Sequence, residues 1–377
     1  MNLDERLQPV LEIAKDQAAE VDRAGRFPIE AVSVLRDSGL LGATLPVAVS
    51  GLEVGPEGFL RVTREVAACC PSTAMVYLMH VCAAQVTLAA SDGSRDRELR
   101  AMADGTELST LAFSERGSRS HFWAPVSQLS ERDGGAFVSA DKSFVTSAGH
   151  ADSYVVSTRP AGTSGAIDSS LYLVPASAEG VGVGRPWDGL GLRGNASAPM
   201  RFDVAVEDAW LLGETGGGLD LMLGIVLPWF LLGQGAVSLG IAEAALNATV
   251  GHVTRAKLEH LGSALIDLPT VRARIGRART EVDTVAGFLA DVAARMSRGD
   301  ATVPILSAKA SANEMAIRVT SEAMQACGGA AMSKDLPIER FFRDARAGAV
   351  MAPTTDVLYE LTGRALAGMP LLEGAAG

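Results

Sequence analysis

The chain has 377 residues, 48% of them hydrophobic and 20% charged, which suits two or three packed layers or subdomains around a large core. Its net charge of −11 excludes a broad nucleic-acid surface, because phosphate binding needs an excess of Lys and Arg. The four cysteines, Cys69, Cys70, Cys82 and Cys327, have no C-x-x-C spacing and no neighbouring ligand set. They read as reduced core thiols in a reducing, cytoplasmic compartment, with no metal site.

The first hundred residues carry helical patterns. Leu3, Leu7, Val10, Leu11 and Ala14 recur at helical spacing, with charges between them rather than the apolar core of a signal peptide. Pro28 starts a second helix, and Gly39 stops it. After a Gly/Pro loop from Pro46 to Pro56, one helix ends near Cys69–Cys70. Pro71-Ser72-Thr73 opens the next, which carries Tyr77 and His80 on one face.

From about Ser109 the pattern shortens to strand-like runs: Thr110–Phe113, Val126–Leu129, Ala136–Ala140, Ser153–Ser157, Leu171–Pro175, Met200–Val204 and Trp210–Leu212. Asp133-Gly134-Gly135 is a hairpin signal, and Gly216-Gly217-Gly218 closes the segment. Long helices return over Leu219 to about Lys257, Leu268–Ser297 and Val303–Cys327. Shorter ones follow at Pro337–Ala345 and Thr355–Ala367, before a tail, Glu373–Gly377, expected to be disordered. The charge-free run Leu221–Ala242 is long enough to span a bilayer. Pro228, Gln234 and its glycines make it a buried core or interface helix instead, and no membrane span is expected. The fold class is α+β, mostly α. It divides into an N-terminal helical domain (1–107), a middle antiparallel β domain (108–215) and a C-terminal helical bundle (216–377).

No G-x-G-x-x-G helix start, P-loop, H-E-x-x-H or G-x-S-x-G is present. Three polar loops remain. Phe113-Ser114-Glu115-Arg116-Gly117-Ser118-Arg119-Ser120 offers hydroxyls, N–H groups and arginines, as an anion or heterocycle edge requires. A solvated Ser-rich turn has the same composition. Phe144-Val145-Thr146-Ser147 places an aromatic beside two hydroxyls, which suits a flat conjugated ligand, although a buried Phe is more often plain core. Trp187–Asn195 is a glycine-punctuated loop around Arg193.

Together these pieces resemble the acyl-CoA dehydrogenase superfamily over nearly the whole chain. Leu111-Ala112-Phe113-Ser114-Glu115 stands where that family has its Thr-Glu-Pro flavin loop. Phe144-Val145-Thr146-Ser147 is similar to its Trp-Ile-Thr strand, and Gly191-Leu192-Arg193-Gly194 to its Gly-x-Arg loop. Gln325-Ala326-Cys327-Gly328-Gly329, with Pro337-Ile338-Glu339-Arg340 and Arg343-Asp344-Ala345-Arg346, resembles its C-terminal signature. The resemblance implies a C-terminal four-helix bundle, FAD held at a subunit interface and a homo-oligomer, dimer or tetramer. Phe113, Ser114, Ser120, Phe144, Thr146 and Ser147 would line one subunit's flavin. Arg255, Gln325 and Gly329 would reach the ADP part of a neighbour's, and Thr354 and Asp356 fall at further cofactor positions. Ser118-Arg119-Ser120-His121 replaces the usual Ala-Gly-Ser-Asp, and Leu258 and Pro269 replace an aromatic and a Gln.

The departures concern the substrate. Family dehydrogenases remove an α-proton with a Glu while the flavin takes the β-hydride, which needs a base within hydrogen-bond reach. The matching segment is Met351-Ala352-Pro353-Thr354, so the base position is Ala352. A second position, on the long helix, is Phe230. The Asp and Arg that touch the thioester carrier are Pro228 and Leu231. Asp356 and His80 are the candidate replacement bases, with His150 a third. A helix N-terminal carboxylate and satisfied or exposed histidines are the plainer readings. Tyr77, His80, Trp229, Phe230, Met351 and Ala352 would wall the substrate pocket. The resemblance implies FAD-dependent dehydrogenation of a small-molecule or carrier-bound acyl substrate, with an electron-transfer flavoprotein or flavin reductase as partner. The alternatives are a flavin monooxygenase or oxidase, which lacks the Glu and needs an apolar pocket, and a redox-silent or lyase-type member. A helical assembly protein without cofactor is the remaining alternative.

Overall fold

The first helix shows how local sequence sets its own ends. In the computed structural model, which describes residues 2–118, 121–132, 135–163, 165 and 168–372, α1 (Leu3–Ala24) begins with Asn2 and Glu5 in a reciprocal capping box. It ends at Gly25 with φ 62°. Leu7, Val10, Ala14, Ala18 and Val21 form its buried stripe. α2 (Ile29–Asp37) follows Pro28, and Gly39 at φ 71° turns the chain away. α3 (Gly55–Cys69), α4 (Pro71–Ala89) and α5 (Asp96–Ala103) complete the N-terminal helices.

Two compact units result. The first comprises Met1–Phe59, Met75–Asp188 and Arg193–Phe230; the second comprises Leu60–Ala74, Gly189–Leu192 and Leu231–Gly377. The first unit holds two four-stranded sheets, in orders β1-β4-β5-β8 and β2-β3-β7-β6. Their strands are β1 (Ser109–Ala112), β2 (Gln128–Arg132), β3 (Gly135–Val145), β4 (Ser153–Thr158), β5 (Ser170–Pro175), β6 (Val181–Val183), β7 (Ala198–Val206) and β8 (Leu211–Leu212). β7 alternates strictly, with Ala198, Met200, Phe202 and Val204 inward. These side chains pack with Val138, Ala140, Val145 and Tyr154 in one core. Every pairing is antiparallel except β1 with β4, which run parallel.

Three local expectations shift. The strand expected from Val126 begins at Gln128, because Val126 gives its N–H to the Glu115 carboxylate instead of a ladder, 2.6 Å away. The run expected at Ala136–Ala140 extends to Val145. The short edge strand β6 carried too few residues to register as a pattern. Asp133–Gly134 of the hairpin signal and the tail Glu373–Gly377 lie outside the described residues.

The long apolar segment starts as α6 (Gly218–Leu221) and widens into a π-helical turn over Met222–Val226. It then runs as α7 (Leu227–Val253). Pro228 explains the widening: it lacks an N–H, and its ring crowds the carbonyl four residues back. Among the described residues two helices, Pro71–Ala89 and Gly218–Val253, are long and apolar enough to cross a membrane, and the apolar window of each is 83% buried in the protein.

In the second unit α7 is followed by the two-residue strands β9 (Lys257–Leu258) and β10 (Ser263–Ala264). Then come α8 (Pro269–Arg298), α9 (Pro304–Cys327), α10 (Ile338–Val350) and α11 (Thr355–Leu366). α8, α10 and α11 all pack on α9, whose Ala308, Ala310, Ala312, Ala316 and Ala323 are buried and let the helices approach closely. Gly240 of α7 serves the same end, since a Cβ there would stand 2.3 Å from the Arg64 carbonyl oxygen and 2.8 Å from Ala67 Cβ. Gly240→Ala is therefore expected to cost about 1–3 kcal/mol through overpacking, read as a lowered urea midpoint with unchanged far-ultraviolet dichroism.

Candidate functional site

The first polar loop is built on a buried ion pair. Lys142 Nζ in β3 is fully buried and lies 2.5 Å from Glu115 Oε1. It also donates to the Ser157 carbonyl at 2.6 Å and to Ser157 Oγ at 3.1 Å. Glu115 in turn accepts from the Val126 and Ser127 N–H groups at 2.6 and 2.8 Å and from Ser127 Oγ at 2.6 Å. Burial raises the Glu115 pKa, but Lys142 and these donors outweigh it and hold the carboxyl below its usual range. The pair ties the loop after β1 to the end of β3, so that the Ser143 N–H donates to the Ser114 carbonyl at 2.7 Å. Phe113 stacks on Phe122, ring centres 6.0 Å apart. Ser120 lies outside the described residues.

Beyond Lys142 the ladder to β7 breaks register, and Phe144 takes φ 55° while remaining 67% exposed. A large aromatic in left-handed backbone, held out toward solvent, is a conformation that structure must impose. The Trp187 ring stands edge-to-face with it, ring centres 6.1 Å apart. Thr146 Oγ1 pairs with Ser197 Oγ at 3.2 Å. Ser147, also left-handed at φ 61°, is buried with its Oγ lacking a hydrogen-bond partner. An exposed ring beside an orphaned buried hydroxyl fits a flat conjugated group with a polar edge, as an isoalloxazine is.

The glycine-punctuated loop is anchored at both of its halves. Within the first unit Arg193 Nε donates to the Asp22 carbonyl at 2.8 Å, so its guanidinium fastens the loop to the end of α1. Within the second unit the Leu192 N–H donates to Asp344 Oδ1 at 2.7 Å, and a Cβ on Gly191 would stand 2.7 Å from the Arg343 carbonyl oxygen. Asp344 thereby holds the loop backbone from the middle of α10.

Of the pocket candidates in the first unit, Tyr77 and Trp229 come together through Phe59, whose ring lies 6.0 Å from Tyr77 and 5.3 Å from Trp229. Phe230 is buried beside Trp229 in sequence. Tyr77 is fully buried, its hydroxyl has no hydrogen-bond partner, and burial raises its pKa. His80 is equally buried, and its Nδ1 accepts the Ser109 N–H at 3.0 Å. Burial, with Arg36 adding to it, drives its pKa down to about 4. The structure thus places His80 as a neutral acceptor tying α4 to β1, with its proton on Nε2. His150 is exposed in its turn, as the plainer reading has it, and stacks on Phe27, ring centres 4.0 Å apart.

In the second unit Arg255, Gln325 and Gly329 are exposed. They share one end of the bundle, where Thr249 of α7, Arg274 of α8 and Ala326 of α9 line a common cleft. Met351 and Ala352 are half-buried in the α10–α11 turn, Thr354 takes the N-cap position of α11, and Asp356 is exposed in its first turn. A carboxylate there is favoured by the helix dipole. Lys142, Phe59 and Lys309, which donates to three carbonyls around the 351–353 turn, escaped sequence reading. Their only signal was a lone lysine among small or apolar neighbours, or one aromatic in an ordinary helix. Among the described residues no group of His, Cys, Asp and Glu could hold a metal ion.

Two measurements check these assignments. Lys142→Met leaves the Glu115 carboxylate buried without its cation and is expected to cost about 3–5 kcal/mol, read by urea denaturation, with loss of flavin uptake. His80 has a folded pKa below its unfolded one, so the unfolded chain binds the proton more readily. Its stability contribution is complete above about pH 6.5 and is lost as pH falls through 4; at pH 5 the loss is about 2 kcal/mol. His80→Gln should flatten the pH 7 to pH 5 dependence of the urea midpoint by that amount.

Three family models cover the chain in order: Acyl-CoA dehydrogenase, N-terminal domain, over residues 9–106; middle domain, over 110–205; and C-terminal domain, over 216–367. Cyclohexane-1-carbonyl-CoA dehydrogenase of Geobacter metallireducens is 30% identical, covering 87% of each chain. Cyclohex-1-ene-1-carbonyl-CoA dehydrogenase of Syntrophus aciditrophicus is 27% identical, over 95% of this chain and 86% of the relative. The structure of butyryl-CoA dehydrogenase from Megasphaera elsdenii shares the fold with a TM-score of 0.87 at 24% identity, over 97% of this chain and 99% of that one. With both sides of the resemblance in agreement, the chain belongs to the acyl-CoA dehydrogenase family of flavin-dependent oxidoreductases.

Proposed function

We propose that this protein is an FAD-dependent oxidoreductase that dehydrogenates an acyl thioester without the family's usual glutamate. The observation that carries the reading is the cradle at the end of β3, two to five residues beyond the buried Glu115–Lys142 pair: Phe144, exposed at φ 55°, near the orphaned Ser147 hydroxyl. Relatives named as acyl-CoA dehydrogenases over nearly the full chain favour dehydrogenation over oxygenation. FAD, when bound, would supply the hydride acceptor for the β-carbon. Phe113, Ser114, Phe144, Thr146 and Ser147 would hold its ring system. Arg255, Gln325 and Gly329, exposed at one end of the helical bundle, would hold the ADP portion from a neighbouring copy in a dimer or tetramer. An electron-transfer flavoprotein is the natural electron acceptor for such a reading.

The acid–base step is where this chain departs. Ala352 offers a methyl group where the family acid stands, and Phe230 fills the second acid position. His80 is committed to Ser109. Asp356 is exposed, four residues after Ala352, and is the group we assign to the α-proton.

Anaerobic mixing of FAD-loaded protein with a panel of acyl-CoA thioesters should bleach the flavin absorbance for at least one of them. Asp356→Asn should slow that bleaching by about a hundredfold, while Ala352→Glu should raise it. A protein that takes up no flavin, or whose flavin no acyl thioester bleaches, would sink the reading.

A further inference from the structure

The turn that carries Ala352 is built around one buried lysine in the second unit. Lys309, in α9, is fully buried. Its Nζ donates to the Gly348 carbonyl at 3.0 Å, the Met351 carbonyl at 2.9 Å and the Pro353 carbonyl at 2.7 Å. α10 ends at Val350 and α11 begins at Thr355, so these three acceptors bracket the whole connection. Carbonyls at a helix C-terminus have no intrahelical donor and carry the negative end of the dipole, so a cation placed there satisfies both needs. Burial lowers the Lys309 pKa to about 7, but the geometry matches the charged form: three carbonyls at hydrogen-bonding distance suit the three N–H groups of an ammonium, whereas a neutral amine has two and would turn a lone pair toward the third.

The neighbouring positions make the same fit. A Cβ on Gly348 would stand 2.3 Å from Asn313 Oδ1 and 2.7 Å from Gln234 Nε2, so glycine is what lets the last turn of α10 reach the lysine. Asn313 lies one helical turn after Lys309 and accepts from Ser238 Oγ at 2.8 Å. Gln234 and Ser238 of α7, with Lys309 and Asn313 of α9, thus form a buried polar stripe inside the bundle. Burying such groups is costly unless they are hydrogen-bonded; Lys309 meets that condition on the 348–353 carbonyls, while Gln234 Oε1 and Asn313 Nδ2 are buried without a partner.

We propose that Lys309 is the positioning residue of the site: its ammonium sets the backbone of the Met351–Pro353 turn, and with it the direction in which the side chain at position 352 points. This rests on the dehydrogenase reading for what position 352 faces, but not for the clamp itself. The clamp is read without activity. In hydrogen–deuterium exchange, Lys309→Met should speed exchange of the 348–354 amides at least tenfold, while peptides from the two β-sheets stay within twofold. Lys309→Arg keeps a charge and donors and should remain near wild type. Unchanged exchange at 348–354 in Lys309→Met overturns the proposal. If that variant does not fold, Lys309→Arg decides: exchange near wild type supports the clamp, and accelerated exchange over the turn overturns it.

The link to the reaction is read in the Ala352→Glu background. Adding Lys309→Met there should lower kcat at least tenfold with KM and flavin content within about twofold, because a misdirected acid slows proton transfer without emptying the site. An equal loss of flavin content and kcat would mean general damage and would overturn the positioning role. If Ala352→Glu itself gains nothing, position 352 does not face the reacting carbon and the link to the reaction is overturned, while the exchange result still judges the clamp.

Discussion

Lys142 carries a full charge into a place with no solvent, and the architecture of the first unit around the end of β3 is arranged to answer it. Glu115 supplies the counter-charge, Ser157 two further acceptors, and the Val126 and Ser127 amides complete the carboxylate. Removing a charge from water is so unfavourable that a partner set this complete is the condition of its being there at all. The consequence is geometric. The loop after β1 and the end of β3 are joined by charge-assisted hydrogen bonds, and Phe144 and Ser147 can be held in left-handed backbone because the chain on either side has no freedom to relax. Stability and site formation are here the same interaction.

The helical unit uses a second buried lysine in a different way. Lys309 gathers backbone carbonyls, and what it shapes is a connection between two helices. The connection is the part of the family's architecture that usually carries the acid. In this chain the scaffold of the turn is present while position 352 is an alanine. Backbone geometry and side-chain chemistry are separable in this sense: the clamp acts through carbonyl oxygens, which any residue provides, so the acid can be absent without disturbing the turn.

Much of this was legible in the sequence. The helix ends were written in Asn2 and Glu5, in Pro28, and in Gly25 and Gly39, because capping and left-handed backbone are decided within a few residues. The long bundle helices followed from periodicity, and the loops Phe113–Ser120, Phe144–Ser147 and Gly191–Gly194 could be singled out by polar residues and glycines at strand ends. Less legible were the partners. Glu115 and Lys142 are 27 residues apart, and nothing in the residues between them announces that one buries the other. The parallel pairing of β1 with β4 and the start of β2 at Gln128 are likewise set by which distant groups claim the backbone N–H donors.

The histidine marks the boundary most clearly. His80 looked like a proton-transfer candidate from its residue type and its place on a helix face, and type and periodicity are properties of the sequence itself. Whether an imidazole titrates near neutrality depends on burial and on what faces each nitrogen, and only the folded chain supplies the Ser109 N–H and the apolar surroundings that pull its pKa down to about 4. By itself, then, the sequence determined the α+β layout, the family and the absence of an acid at position 352, all of which are local or periodic. The tertiary structure decided which lysines are buried, what they hold and which polar atoms are left without partners. Those are long-range pairings, and in them the cost of desolvation selects the neighbours.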